Sequence, residues 1–428
     1  MRQRKLVVFF MKMELLFCCD AYINIIKIAS RLFSNQYIHL IGKRILKSVC
    51  FAPQLETHTM KKSILALAVA AALATPFAAQ ADTILYGSAR VSIDYNDEDS
   101  TDPLNDNNGN WDVTNNSSRL GVLGSEDLGG GLSAVYQYEF GVDVTEGTGQ
   151  NFESNRPKFV GLKGNFGTLT LGTQETPYYH VAGVVDIFNS DKTLGATAFL
   201  GGSFNGFSLN PTSDRDFGQG ALFRLDNSLY YATPDFNGFS GEVMLVMNGA
   251  NAVNSGAGYS DNIDLWNIAA KYSNGPFFAG VSYISLEGNS SVPFGQGLSL
   301  DLDLDQWNVG LGYASGPFSI GLIYEQGTLN EFGLLSNARI NGVRFGGDDA
   351  SNVYVTGSYS FGNNVISAGY GYLDPGTEGL DSFNNYIFGY QYNFSKRTRV
   401  WAEYIGRSAD GILYGDQSAV SIGTRIDF

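Results

Sequence analysis

Segment after segment of this chain alternates apolar and polar residues one by one, and that period of two restricts the fold more than any other feature of the sequence. From Thr83 to Tyr95, the residues Leu85, Ala89, Val91, Ile93 and Tyr95 fall on one parity, with Ser88, Arg90, Ser92 and Asp94 on the other. In "LSAVYQYEFGVD", Leu132, Ala134, Tyr136, Tyr138, Phe140 and Val142 share a side against Ser133, Gln137, Glu139 and Asp143. Val400, Ala402 and Tyr404 oppose Arg399, Glu403 and Arg407, and the last segment sets Val420, Ile422, Ile426 and Phe428 against Ser421, Arg425 and Asp427. Side chains alternate faces along a strand, so each segment has one greasy and one polar face.

The punctuation between segments is uneven in a regular way. Tight turns such as "GNFG" (Gly164 to Gly167), "NGP" (Asn274 to Pro276) and "SGP" (Ser315 to Pro317) alternate with long polar stretches such as Asn96 to Asp112 and Glu287 to Asp301. Gly, Asn and Pro supply the turn dihedrals. Counting between them predicts sixteen strands, the first near 83–95 and the last near 416–428.

Ahead of the strands stands "MKKSILALAVAAALATPFAAQADT", with Lys61 and Lys62, an apolar run from Ile64 to Ala74 and the A-x-A site Ala79-Gln80-Ala81. This is the pattern of a secretory signal peptide over 60–81, and its apolar run is far shorter than the roughly 18–20 residues a spanning helix needs. Cleavage after Ala81 leaves Asp82 to Phe428. Residues 1–59 hold all three cysteines (Cys18, Cys19, Cys50) and two of the three histidines. Because a signal peptide is read near an N-terminus, we expect 1–59 to be an extension from a start assigned too far upstream, the alternative being an anchoring helix from Leu6 to Cys19.

Composition narrows the function. Residues 1–81 carry eleven of the 27 basic and three of the 42 acidic residues, so 82–428 has a formal net charge of about −23. So acidic a chain repels phosphate backbones, and nucleic acid is not an expected partner. With no cysteine after Cys50 and His180 the only later histidine, thiolate or imidazole metal sites and a histidine-based triad are not expected. No cofactor is expected.

An exported chain without a spanning helix enters a lipid bilayer only as a closed barrel, since nothing else satisfies its backbone polar groups there. A soluble sandwich also alternates, but sixteen strands exceed what one sandwich holds. The apolar face is repeatedly capped by aromatics near turns (Tyr95, Phe140, Phe166, Phe236, Phe361, Phe394, Phe428), as membrane girdles require. The fold class expected is therefore all-β, a sixteen-stranded antiparallel transmembrane barrel over 82–428. One stretch resists: in "LSLDLDLDQWNVGLGY", Asp301, Asp303 and Asp305 share parity with Val309, Leu311 and Tyr313. Either the aspartates ride on an extended hairpin arm above the bilayer or a bulge shifts the register.

The blocks "LYGSARVSIDY" (Leu85 to Tyr95), "SSRLGVLGSEDLGGGLSAVYQYEF" (Ser117 to Phe140), "RPKFVGLKGNFGTLTLGTQETP" (Arg156 to Pro177), "RLDNSLYYATPDFNGFSG" (Arg224 to Gly241) and "GTRIDF" (Gly423 to Phe428) resemble the general diffusion porins of Gram-negative outer membranes. The resemblance implies a homotrimer of sixteen-stranded barrels in the cell outer membrane, in contact with lipid and lipopolysaccharide, passing ions and small hydrophilic solutes. It implies that a long third loop, here about 175–223, folds inside the barrel as the constriction. It also implies that the terminal Phe428 is read by the barrel-assembly machinery, although Ile426 stands where the family commonly has His.

A porin does no bond chemistry, so the functional residues are the charges at its narrowest point, where wall arginines facing a carboxylate-bearing loop set up a transverse field. On the family's motifs Arg119 and Arg156 supply wall charge, with Arg224 a third candidate. Arg90 faces the lumen by parity, as does Glu139. Asp186 in "VVDIF" matches the loop acid, with Glu175 and Asp191 as weaker candidates. His180 is a titrating or passive hydrogen-bonding group in the loop. "DEDSTDPLNDNNGN" (Asp97 to Asn110) is a solvated external loop lacking EF-hand spacing, and "GGDD" (Gly346 to Asp349) is turn chemistry. Two other functions stay open at this point. One is a solute-specific channel in which Tyr178, Tyr179 and Phe188 stack on sugar rings. The other is an outer-membrane enzyme, which the lack of a G-x-S-x-G elbow opposes.

Overall fold

A computed structural model of the chain describes residues 82–98, 109–145, 152–153, 156–190, 195–200, 223–247, 263, 265–290, 300–328, 339–340, 343–344, 350–376, 382–409 and 416–428. The expected extension 1–59 and signal peptide 60–81 lie outside these residues, as do Asp191, Gly346 to Asp349 and most of the stretch from Asp97 to Asn110.

Among the described residues, every strand belongs to one antiparallel sheet closed on itself. Its sixteen positions are β1 (Asp82–Glu98), β2 (Asn110–Asn115 continuing in Arg119–Gly129), β3 (Leu132–Val142), β4 (Phe152–Glu153 continuing in Lys158–Gly164), β5 (Gly167–Glu175), β6 (Arg224–Ala232), β7 (Phe239–Val246), β8 (Leu265–Asn274), β9 (Phe277–Ser290), β10 (Leu300–Ser315), β11 (Phe318–Gly327), β12 (Ala350–Phe361), β13 (Asn364–Asp374), β14 (Phe383–Asn393), β15 (Thr398–Ala409) and β16 (Gln417–Asp427). Each pairs with its sequence neighbour, and β16 returns to β1 with Ser88 opposite Asp427. A two-residue hairpin, Arg339–Ile340 and Val343–Arg344, pairs beside the far end of β10.

The alternation selects the faces. On β1 the outward Leu85 and Ile93 are more than half exposed while the inward Ser88, Ser92 and Asp94 are buried. Two aromatic rows mark the membrane borders. At the tight-turn end, Phe239 meets Tyr272, Phe277 meets Tyr313 and Phe318 meets Tyr359, with ring centres 4.5–5.2 Å apart. At the other end, Trp266 meets Tyr283 and Trp307 meets Tyr324. Trp307 and Tyr313 lie on one strand about 20 Å apart at ~3.4 Å per residue, which a strand tilt of about 35–45° reduces to roughly 15 Å along the membrane normal, within the apolar band of about 25 Å of an outer-membrane barrel.

Beyond the upper row, β9 and β10 continue as a two-stranded arm whose register runs unbroken from Phe277 opposite Tyr313 to Ser290 opposite Leu300. No bulge intervenes, so Asp301, Asp303 and Asp305 lie on an extended hairpin and not at a register shift, and Asp305 accepts a hydrogen bond from the Tyr283 hydroxyl at 3.0 Å. The polar stretch from Glu287 to Asp301, expected from its composition to be loop, thus carries strand at both ends.

The apolar core lies on the inward side. After β5 the chain forms α1 (Pro177–Ala182), then short 3-10 turns at Gly183–Val185 and Ala196–Phe199. Thr176 caps α1 by accepting from the Tyr179 amide at 3.1 Å, and Pro177 fills the first helical position, where a missing N–H costs nothing. Tyr178, Val185, Phe199 and Leu200 of this segment pack with Met244, Ile284, Ile323, Tyr354, Leu373, Ile387 and Ile405, which are inward residues of seven strands.

Candidate functional site

From Pro177 to Ser190 the segment after β5 follows the inward faces of the wall in order. Helix α1 packs on β7 to β10 and the turn Gly183–Val185 on β10 to β12, whereas the later turn Ala196–Phe199 lies back on β13 and β14. Polar side chains from those strands satisfy it. The Tyr178 amide donates to Asn267 Oδ1 at 2.8 Å, its hydroxyl donates to Glu325 Oε1 at 2.5 Å and accepts from Gln306, and its carbonyl accepts from Asn308. Further along, Glu403 Oε1 and Oε2 accept the amides of Asn189 and Ser190, each at 2.9 Å.

The root of the segment is held by an ionic network. His180 Nδ1 lies 2.8 Å from Glu242 Oε2 and its Nε2 lies 3.7 Å from Glu175 Oε2. Glu175 also meets Arg224 at 3.6 Å, and Glu242 pairs with Lys271. Burial disfavours the imidazolium and Lys271 repels it, but hydrogen bonds to Glu175 and Glu242 outweigh both and raise the His180 pKa to about 9.

Two cavities flank the segment. One, of about 640 Å³, is lined by Arg119, Glu139, Glu175, His180 and Asp427 among others. The other, of about 250 Å³, has Asp186 and Phe188 of the segment on one side and Arg90, Arg399 and Arg425 on the other. These three arginines form a row. Arg90 is the cross-strand partner of Arg425, and Arg425 of Arg399, across β1, β16 and β15. Asp427 bridges two of them, accepting from Arg425 Nε at 2.7 Å and from the Arg399 guanidinium at 2.8 Å.

The sequence-predicted residues therefore separate by environment. Arg90 and Asp186 share the smaller cavity, and Arg119 projects into the larger one. Arg156 is buried and pairs with Glu139 at 3.5 Å, where Glu139 also accepts from the Tyr86 hydroxyl at 2.8 Å. Arg224 and Glu175 pair with each other. Asp186 is exposed and accepts from the Tyr179 hydroxyl at 2.7 Å. Of the aromatics considered for sugar stacking, Tyr178 is fully buried, Tyr179 is engaged with Phe223 at 4.6 Å, and Phe188 packs against the core. They present no row of free ring faces.

Sequence reasoning placed Arg399, Arg425 and Glu403 on the polar face but did not single them out. Their grouping is a product of barrel closure and of where Asp186 to Ser190 come to lie, and neither leaves a local motif. The helix α1 had a local signal in Thr176-Pro177.

A closed barrel with outward aromatic rows, a polar interior and an inner charged segment is an outer-membrane channel of the porin class. The sequence profile of the family described as Gram-negative porin matches residues 66–408, and the chain belongs to that family. It is 29% identical over 372 residues to the major outer membrane protein P.IB of Neisseria gonorrhoeae, covering 83% of this chain and 97% of that protein. It is 28% identical over 386 residues to outer membrane porin protein 32 of Delftia acidovorans, covering 86% and 100%. Among solved structures, the anion-selective porin from Comamonas acidovorans superposes with a TM-score of 0.62 at 20% identity, covering 81% of this chain and all of that one. The protein is thus a cell outer-membrane porin for passive diffusion of small solutes, not an enzyme.

Proposed function

We infer that the segment from Glu175 to Phe223 is the constriction of this channel and that the passage beside it prefers anions. The observation that carries the reading is the row Arg90–Arg425–Arg399 facing Asp186 across a cavity of about 250 Å³, with Arg119 in the larger cavity that Arg425 also lines. Asp427 bridges Arg399 and Arg425, and the Glu403 carboxylate in the same lining is taken up by the Asn189 and Ser190 amides, which leaves Arg90 and the outer faces of the row to act on a passing ion. Like charges set side by side lower barrel stability unless something else favours them. In a narrow passage a fixed charge acts on the passing ion at short range and is poorly screened, so the local arginines outweigh the distant net negative charge of the chain. The solved neighbour described as anion-selective supports the same direction.

The family resemblance further supports a homotrimer, contacts with lipid and lipopolysaccharide, recognition of Phe428 by the assembly machinery, and a signal peptide at 60–81. The deciding measurement for selectivity is the reversal potential of the purified protein in a planar bilayer across a KCl gradient. The reading requires a chloride preference at 0.1 M that weakens toward 1 M, where the Debye length is about 3 Å. A potassium preference at both concentrations would overturn it.

A further inference from the structure

We propose that the inner segment is seated in a track of side-chain-free positions on the barrel wall, and that these wall glycines position the constriction. Accepting that the segment narrows the passage, as inferred above, the track determines by how much.

The track is visible in the order of contacts. Gly280 of β9 and Gly310 of β10 are direct cross-strand partners, as are Gly312 of β10 and Gly321 of β11. Further round, Gly389 of β14 is the partner of Glu403. Val181 lies over the first pair: a Cβ at Gly280 would stand 2.9 Å from Val181 Cγ2, and one at Gly310 would stand 2.7 Å from the Val181 carbonyl oxygen. Val184 lies over the second pair, with its Cγ2 2.8 Å from a Cβ at Gly312 and its carbonyl oxygen against Gly321. Phe188 then covers Gly369 of β13 and Gly389, at 3.0 and 3.6 Å. The next two residues, Asn189 and Ser190, end on the Glu403 carboxylate.

Segment order thus follows wall order, from Val181 to Val184 to Phe188 to the Glu403 clamp. Glycine within a strand weakens it and marks a place where another backbone comes close. Here several lie on the inward face, and each meets the same segment. Close-packed interiors do not absorb an added methyl without movement. A side chain on the track must therefore push the segment off the wall and into the passage.

The test uses the exported chain in planar bilayers. Gly312→Ala should lower single-channel conductance roughly 1.5-fold or more, because its methyl meets a side-chain tip of the segment. Adding Val184→Ala, which removes that tip, should restore it. Gly280→Ala with Val181→Ala is a second pair of the same design, should the first fail to give a barrel resistant to unfolding in cold detergent. Gly357→Ala, at a glycine whose added Cβ has only the Ser319 carbonyl nearby at 3.6 Å, should leave conductance unchanged.

Segment position is read separately from the distance between spin labels at Asp186→Cys and Asn363→Cys, residues 82–428 having no native cysteine. A label shift with Gly312→Ala that Val184→Ala reverses supports the track. That same shift with unchanged conductance keeps the track and refutes the constriction reading. Unshifted labels in both glycine variants overturn the proposal.

Discussion

Arg90 and Arg425 stand directly opposite each other on β1 and β16, two guanidinium-bearing side chains on one face at the seam where the barrel closes. Their adjacency costs stability. It is offset locally by Asp427, which holds Arg425 and Arg399 together at 2.7 and 2.8 Å. Replacing Arg425 with Gln should therefore separate two effects. The reversal potential should move toward cations, since a charge about 4–6 Å from a passing ion in an intermediate dielectric is worth on the order of 1 kcal/mol or more. Resistance to urea should fall little or rise. A selectivity equal to wild type at 0.1 M salt would place the arginine row outside the ion path.

Arg119 and Arg156, close in sequence motif, should behave differently. Arg119→Ala removes a charge facing the larger cavity and should shift selectivity toward cations with little effect on stability. Arg156→Ala leaves Glu139 buried without its ionic partner, a loss of the kind worth roughly 3–5 kcal/mol. It should lower the unfolding midpoint in denaturant markedly. Equal stability of the two variants would contradict this division.

Glu403→Gln keeps the shape of the clamp but presents an NH2 group to one of the two amides, Asn189 and Ser190, that the carboxylate accepts. Hydrogen bonds to a charged group contribute about 1.5–3 kcal/mol each. The variant should show flickering single-channel current, with barrel unfolding close to wild type. Steady current equal to wild type would show that the clamp is dispensable.

The pH response of the segment root follows from His180. Its pKa in the folded protein, about 9, lies above the ordinary histidine value of about 6.5. The charged form is therefore favoured by folding: the stabilisation is complete below about pH 6.5 and is lost as pH rises through about 9. Thermal stability should decline between pH 7 and 10, and His180→Gln should flatten that decline. A variant with the wild-type slope would assign the decline to other groups.

The exported protein should begin at Asp82. Mass spectrometry or N-terminal sequencing of the outer-membrane form decides this, and any start before Asp82 refutes the signal-peptide reading of 60–81.

The strands were legible because each obeys one local rule. Leu85 to Tyr95 and Val420 to Phe428 show their faces without any knowledge of neighbours, since outward positions must be apolar and inward ones touch water. Asp301, Asp303 and Asp305 broke that rule, and the unbroken pairing of β9 with β10 explains why: the arm runs on past the aromatic row, where outward positions need not be apolar. Where the rule failed inside the barrel, the cause was tertiary. Ile284, Ile323 and Ile405 occupy inward positions because the inner segment packs on them, and no local pattern announces that. By sequence alone Tyr178 is a candidate ring for passing solutes, yet its hydroxyl is held by Glu325 and Gln306, residues more than a hundred positions downstream.

The seam between β1 and β16 has a kinetic consequence. It joins Ser88 to Asp427 and pairs the Gly87 backbone with Phe428 in both directions, so the ring's last hydrogen bonds link residues roughly 340 apart in the chain. Contacts so remote form late and slowly. Until synthesis reaches the final residues, β1 keeps an unpaired edge, and such edges template pairing with other chains. A translation product that stops short of β16 has no way to hide that edge. Ribosome release, crossing of the inner membrane and delivery to the outer membrane must therefore all precede closure, and the unclosed polypeptide must be kept apart from its fellows throughout that transit.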